Sequence, residues 1–398
     1  MPFIKLGLSS AVLDGVRAAG YVTPTPIQLR GIPLVLAGRD IIGSAQTGTG
    51  KTAAFALPIL TKLGQHAPGP RALILEPTRE LAAQVETAFH DYARFTNLKT
   101  TVVFGGVGYG RQNDELRAGT DIVVATPGRL LDHLERGTVR LDKVQFLVLD
   151  EADRMLDMGF LPDIRRILER VPRDRQTMLF SATIPAPIAE LSRSLLSNPV
   201  RINIERVSKP AVGITHAVYP VPSTRKPDLM VELLHRADSS NVLVFTRTKH
   251  RANRLAGFLE KKGVACERIH GNRSQPQRTA ALDGFKHGKF RVLVATDIAA
   301  RGIDVEALGL VVNFDVPHVP EDYIHRVGRT ARAELTGDAF TLVSPEEEGD
   351  VRAIERHLGT PLPRHRLEGF DYTALSAPEA APRSAGSGRP RPRFRPRS

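Results

Sequence analysis

Ala45-Gln46-Thr47-Gly48-Thr49-Gly50-Lys51-Thr52 follows the apolar pair Ile41-Ile42. Ile41 and Ile42 read as the end of a buried strand, and the glycines after them let the backbone turn its N–H groups toward phosphate oxygens. Lys51 supplies a point charge for the β and γ phosphates, and the Thr52 hydroxyl is placed to ligate Mg²⁺ where a helix begins. A phosphate loop of this kind ordinarily opens on Gly, whereas Ala45 stands here. Taken alone, the stretch also fits a glycine-rich turn leading into a helix.

About a hundred residues later comes a second segment that completes the first. Val144 to Leu149 is a nearly uninterrupted apolar run, as expected of a parallel strand buried on both faces, and it ends in Asp150-Glu151-Ala152-Asp153. Two carboxylates at the carboxyl end of a buried strand are costly unless they face a cation or water. Asp150 is expected to hold the metal, usually through water, and Glu151 to orient or deprotonate the water that attacks the γ phosphate. The alternative is an acidic helix N-terminus after a core strand, which suits the helix dipole.

The chain has 398 residues, enough for two domains and a tail. No run approaches the roughly 18 consecutive apolar residues of a membrane span, and the N-terminus lacks an export pattern, so a cytoplasmic location is expected. The single cysteine, Cys266, allows no internal disulfide, and the histidines show no zinc-type pairing, so no structural metal is expected. Net charge is +12, and Arg383, Arg389, Arg391, Arg393, Arg395 and Arg397 carry half of it. Arg-Pro repeats cannot pack a core, so a disordered basic tail is expected from about Asp371. It reads as a nonspecific contact for nucleic acid phosphates, with a solubilising end as the alternative.

Apolar strands alternate with helical patterns throughout, which argues for a parallel α/β architecture. The two halves echo each other. Ala72-Leu73-Ile74-Leu75 leads to Glu76-Pro77-Thr78-Arg79, and Val242-Leu243-Val244-Phe245 leads to Thr246-Arg247-Thr248-Lys249. Ile122 to Thr126 likewise resembles Val292 to Thr296. Ligands bind beyond the carboxyl ends of such strands, so both halves offer polar rims to a shared ligand. Lys209-Pro210 and Gly213 interrupt the pattern, which places a first domain over 1–206, a linker over 207–213, a second domain over 214–368 and the tail over 369–398. Only the first half has a phosphate loop. The second carries His325-Arg326-Val327-Gly328-Arg329-Thr330-Ala331-Arg332, whose arginines suit a γ phosphate, with Arg329 and Arg332 sharing a face if the stretch is helical. A basic surface helix with ordinary ion pairs is the other reading.

In this order, the segments resemble the DEAD-box family of ATP-dependent RNA helicases, superfamily 2, over Phe3 to about Phe370. Asp150 to Asp153 spells the family name (DEAD, 150–153). Gly20 to Gln28, with Phe3 upstream, is similar to the adenine-reading Q motif (3–28), and the family also opens its phosphate loop (45–52) with Ala. Pro77 to Ala82, Gly105-Gly106 and Thr126 to Arg129 are similar to the family's RNA-contacting motifs, and Ser181-Ala182-Thr183 (181–183) to the one linking hydrolysis to unwinding. Val244 to Arg247, Gln275 with Arg278, Ala295 to Asp297 with Ala300 to Asp304, and His325 to Arg332 complete the set, with Ala331 where Gly is usual. Leu6 to Ser9, Thr246 to His250 and the short basic tail most resemble the bacterial RhlE-like subgroup.

The resemblance implies an α/β fold of two tandem RecA-like domains with parallel sheets flanked by helices. It implies ATP and Mg²⁺ as cofactors. Nucleotide contacts would come from Tyr21, Gln28, Ala45, Gln46, Thr47, Gly48, Thr49, Gly50, Lys51, Thr52, Asp297, Gly302, Asp304, Arg329 and Arg332. Catalysis would rest on Lys51, Asp150, Glu151, Arg329 and Arg332, the metal on Thr52 and Asp150, and coupling on Asp153, Ser181, Thr183 and His325. RNA would meet Pro77, Thr78, Arg79, Gly106, Thr126, Pro127, Gly128, Arg129, Thr246, Arg247, Gln275, Arg278 and Thr296. These groups suit phosphate and sugar, so sequence preference should be weak and binding salt-dependent. The implied activity is ATP-driven, local, nonprocessive unwinding of short duplexes or remodelling of ribonucleoprotein. An ATP-gated RNA clamp and a DNA helicase are the alternatives. RNA is the expected partner, with ribonucleoprotein or RNA-decay proteins beside it, no membrane, and a monomer favoured.

Overall fold

The computed structural model describes residues 2–44, 49–203, 213–300, 308–330 and 336–373. Ala45 to Gly48, Gly302, Asp304, Arg332, Ala331, most of the expected linker and nearly all of the tail lie outside them.

The first half forms a sheet of β1 (Ile41–Ser44), β2 (Ala72–Leu75), β3 (Thr100–Val103), β4 (Ile122–Ala125), β5 (Phe146–Leu149), β6 (Gln176–Ser181) and β7 (Val200–Asn203). The second forms one of β8 (Ile214–Pro220), β9 (Val242–Thr246), β10 (Cys266–Ile269), β11 (Val292–Thr296), β12 (Leu310–Asn313) and β13 (Gly337–Val343). Every pairing in both is parallel. The central strands carry no polar face because helices cover both sides: Ala72 and Ile74 of β2 pack into one core layer, Leu73 and Leu75 into the other. Val242 and Val244 divide from Leu243 and Phe245 in the same way.

The strand orders are β3-β4-β2-β5-β6-β1-β7 and β10-β11-β9-β12-β13-β8. Numbered within its own half, the second sheet repeats the first without its last strand, so the internal echo is a repeat of topology. The echoed strands are neighbours in register, Leu75 beside Ala125 and Phe245 beside Ala295. They also empty into the same device. The Thr78 hydroxyl accepts from the Leu81 N–H (3.3 Å) to start the helix Arg79–Tyr92, and the Thr248 hydroxyl accepts from Arg251 N–H (3.2 Å) to start Lys249–Lys261. Two tandem RecA-like domains follow from this arrangement.

Two local expectations need correction. β5 begins at Phe146 rather than Val144, because Val144 closes a turn through its N–H to Leu141 carbonyl bond (3.2 Å). The arginine segment is not helical throughout: the helix Pro320–Val327 ends at Gly328, and Thr330 instead bridges to Leu308. Arg329 therefore lies past the helix end, and no shared helical face places it.

Candidate nucleotide and RNA site

Parallel strands put all their carboxyl ends on one edge, and the candidate residues divide along it. The ends of β1 and β5 carry the phosphate-loop and acidic groups, β6 carries Ser181, and the ends of β2, β4, β9 and β11 carry most of the expected RNA contacts.

Lys51 opens the helix Lys51–Leu63, with Thr52 beside it, and its ammonium lies 3.5 Å from Asp150 Oδ1, both side chains 6% exposed. Burial works against the Lys51 charge, but the Asp150 and Glu151 carboxylates outweigh it and raise its pKa. Burial, opposed by Lys51, raises the Asp150 pKa. Glu151 takes a left-handed backbone conformation (φ 50°, ψ 49°), rare for a residue with a side chain, at the start of the helix Ala152–Asp157. Its carboxylate is 3.1 Å from Arg154, which sequence reasoning did not single out.

Gln28 is fully buried and joins the Q motif to the phosphate loop: its Oε1 accepts from Thr25 N–H (2.9 Å) and its Nε2 donates to the Gly50 carbonyl (3.1 Å). One further hydrogen-bonding capacity is left at each end of the amide. Gly50 needs its freedom, since φ is +86° and a Cβ there would overlap the Gln28 amide. Tyr21 packs edge-on against Phe3 and Tyr92, and its hydroxyl accepts from that of Tyr92 (3.1 Å).

The coupling residues are one network. Asp153 Oδ2 accepts from the Thr183 N–H (2.7 Å) and hydroxyl (2.9 Å), and the Asp153 N–H donates to Ser181 Oγ (3.1 Å). His325, from the second half, lines a cavity with Arg154 and feels the charge of Asp153. Burial first, then Arg154, lowers its pKa to about 4. A small cavity between the halves is lined by Arg154 on one side and by Asp297, His325, Arg326 and Arg329 on the other. Asp297 is engaged by the buried Arg326, at 2.6 and 2.7 Å.

On the RNA side, Arg79 lies against Gly106, and burial, then the neighbouring charge of Arg278, lowers its pKa, with Arg129 contributing. Arg129 donates to the Val107 carbonyl (2.9 Å) and stacks on Tyr109 at 4.1 Å. Thr126, Pro127 and Gly128 form the start of the helix Pro127–Glu135. Gln275 and Arg278 both reach across to Glu80. Arg247 bonds to Val316 and Glu347, both at 3.1 Å. Thr246 is wholly buried and Thr296 nearly so, so their side chains are turned into the fold. Pro77 is buried beside the Thr78 cap.

A repeated RecA-type sheet with a phosphate-loop lysine, paired carboxylates and a facing set of arginines defines a two-domain nucleotide-dependent motor. Residues 25–191 match the family model of the DEAD/DEAH box helicase, and 225–334 that of the helicase conserved C-terminal domain. The chain is 44% identical to the DEAD-box ATP-dependent RNA helicase CshA of Bacillus subtilis over 354 residues, 89% of this chain and 72% of the relative. It is 40% identical to the ATP-dependent RNA helicase DbpA of the same organism over 377 residues, 95% and 79% of the two chains. The structure of S. cerevisiae Dbp5 bound to RNA and ADP BeF3 superposes with a TM-score of 0.83 at 31% identity, covering 92% of this chain and 95% of that one. The chain belongs to the DEAD-box family of ATP-dependent RNA helicases.

Proposed function

We propose that this chain is an RNA-stimulated ATPase that grips the RNA backbone with both domains, 1–206 and 214–368, and locally separates short duplexes or remodels ribonucleoprotein. The observation that carries the reading is the Lys51–Asp150 pair, with His325 and Arg329 of the other half meeting Arg154 beside it. Lys51 would bind the β and γ phosphates, Glu151 would hold and accept a proton from the attacking water, and Arg329, with Arg332, would neutralise charge growing on the γ phosphate. Gln28, through its remaining hydrogen-bonding capacity, would read the adenine edge, and a site built for that pattern penalises guanine. The donor set is hard oxygen, Thr52 hydroxyl and Asp150 carboxylate, which fits Mg²⁺. When bound, that cation supplies positive charge to the phosphate oxygens.

Arg79, Arg129, Arg247 and Arg278 supply the guanidinium groups for an RNA backbone, with Gly106, Gly128 and the Thr126 and Thr296 main chain beside them. Asp153, Ser181, Thr183 and His325 would transmit the state of the nucleotide to that surface. No helix among the described residues is long and apolar enough to cross a membrane, and we place the protein's work in the cytoplasm.

The test compares ATP turnover with and without single-stranded RNA and follows separation of a short duplex in the same buffer. Lys51→Ala should abolish both activities, and Glu151→Gln should retain ATP and RNA binding while slowing cleavage. Arg329→Ala should lose turnover with the fold intact. Wild-type turnover in all three variants sinks the assignment, and turnover without strand separation makes the protein a clamp.

A further inference from the structure

Glu76 follows β2 directly, and its N–H donates to the Ala125 carbonyl (2.9 Å). Alternation along the strand puts its side chain on the face of Ile74, and Asp150 lies on the same face beyond Val148. β2 and β5 pair with Leu75 beside Leu149, so Glu76 and Asp150 are lateral neighbours at the sheet edge. The helix Lys51–Leu63 covers this face, with Lys51 at its start.

Glu76 is 0% exposed, and neither of its carboxylate oxygens has a hydrogen-bond partner. The acids that hold this half of the fold together behave differently. Asp40 accepts from the Thr177 and Ser197 N–H groups, both at 2.7 Å, and Asp121 from Ala67, Lys99, His66 and Arg71. A buried carboxyl group with no donor is costly, and among the described residues no hydrogen bond offsets it. Burial first, then the Asp150 and Glu151 carboxylates, raise its pKa well above the usual carboxylate range, and Lys51 opposes them. The triphosphate arriving at this edge is itself an anion. A carboxylate here is tolerable if hydrogen-bond donors and positive charge arrive with the ligand.

We propose that Glu76 is an outer acceptor for the water shell of the divalent cation that enters with the nucleotide, receiving hydrogen bonds from cation-bound water while Asp150 faces the cation. Glu76 is then a positioning residue. The proposal rests on the nucleotide-site reading above, and it adds a third carboxylate to that site.

The experiment measures Mn²⁺ binding by electron paramagnetic resonance in the presence of a nonhydrolysable ATP analogue, for the wild type, Glu76→Gln, Glu76→Ala and Asp150→Asn. Analogue affinity in EDTA and thermal unfolding of the free protein are recorded alongside. Glu76→Ala should raise the Mn²⁺ Kd by about tenfold or more, the range found when outer-sphere partners are removed, and Glu76→Gln by less because one carbonyl acceptor survives. Analogue affinity in EDTA should not fall. An unchanged Mn²⁺ Kd in Glu76→Ala, with Asp150→Asn weakened, overturns the role of Glu76 and leaves the nucleotide site standing. Equal weakening with and without metal also overturns it, since that marks a packing defect. If Asp150→Asn leaves Mn²⁺ binding intact, the site reading itself falls and takes this proposal with it.

Discussion

Glu80 of the first domain and Arg278 of the second form an ion pair at 2.8 Å, with side chains 6% and 11% exposed. The other Glu80 oxygen accepts from Gln275 (3.0 Å), so one carboxylate holds two residues from across the gap. Water screens such a pair little, so removing either partner leaves the other charge buried and uncompensated.

A double-mutant cycle on Glu80→Gln and Arg278→Gln, read as RNA affinity in the presence of a nonhydrolysable ATP analogue, should give a coupling of about 1–3 kcal/mol. Independent effects of the two substitutions would show that the pair does not contribute to joining the domains.

Gly106 sits at φ +81°, and a Cβ there would overlap the Arg79 guanidinium. Gly106→Ala should therefore cost about 1–2 kcal/mol of backbone strain and displace Arg79, weakening RNA binding while ATP binding holds. Fluorescence anisotropy with labelled RNA, paired with thermal melts, separates the two effects.

Asp153 accepts from Thr183 twice through one oxygen. In Asp153→Asn an amide nitrogen turned toward Thr183 would leave donors facing donors, and the reverse orientation weakens a charge-assisted pair. Duplex separation should fall further than RNA-stimulated ATP turnover. Parallel loss of both would remove Asp153 from the coupling role.

Burial pushes the Cys266 thiol up to about 12, and its Sγ donates to the Ala256 carbonyl at 3.4 Å. Because the folded pKa exceeds the unfolded one, the stability this gives is full below about pH 9 and is lost as pH rises toward 12. At pH 8 a thiol reagent should label Cys266 only in denaturant, and rapid labelling of the native protein would contradict its burial.

Much of the site was legible because its chemistry is local. The phosphate loop, the acidic strand end and the arginine segment each announce themselves by residue type at fixed spacing, and the echo between Ala72–Arg79 and Val242–Lys249 pointed to two halves built alike, while the capping role of Thr78 and Thr248 came from the structure. Glu76 was on the page as well, an acid closing an apolar strand, but it read as the first residue of a polar loop. Glu80 sits inside a motif stretch and Arg154 directly follows one, and nothing in their spacing tells which charge they will meet.

Sequence alone determined the element types, the two-fold repetition and the chemical inventory, because hydrophobic period and turn chemistry act between near neighbours in the chain. Tertiary structure decided which charges share a cavity: that Asp150 lies against Lys51, that Glu80 binds Arg278, and that Glu76 is sealed in with no donor. Those facts depend on strand order and on the docking of one domain on the other. Electrostatic and hydrogen-bond energies follow distance and burial in space, which residue spacing along a chain does not encode.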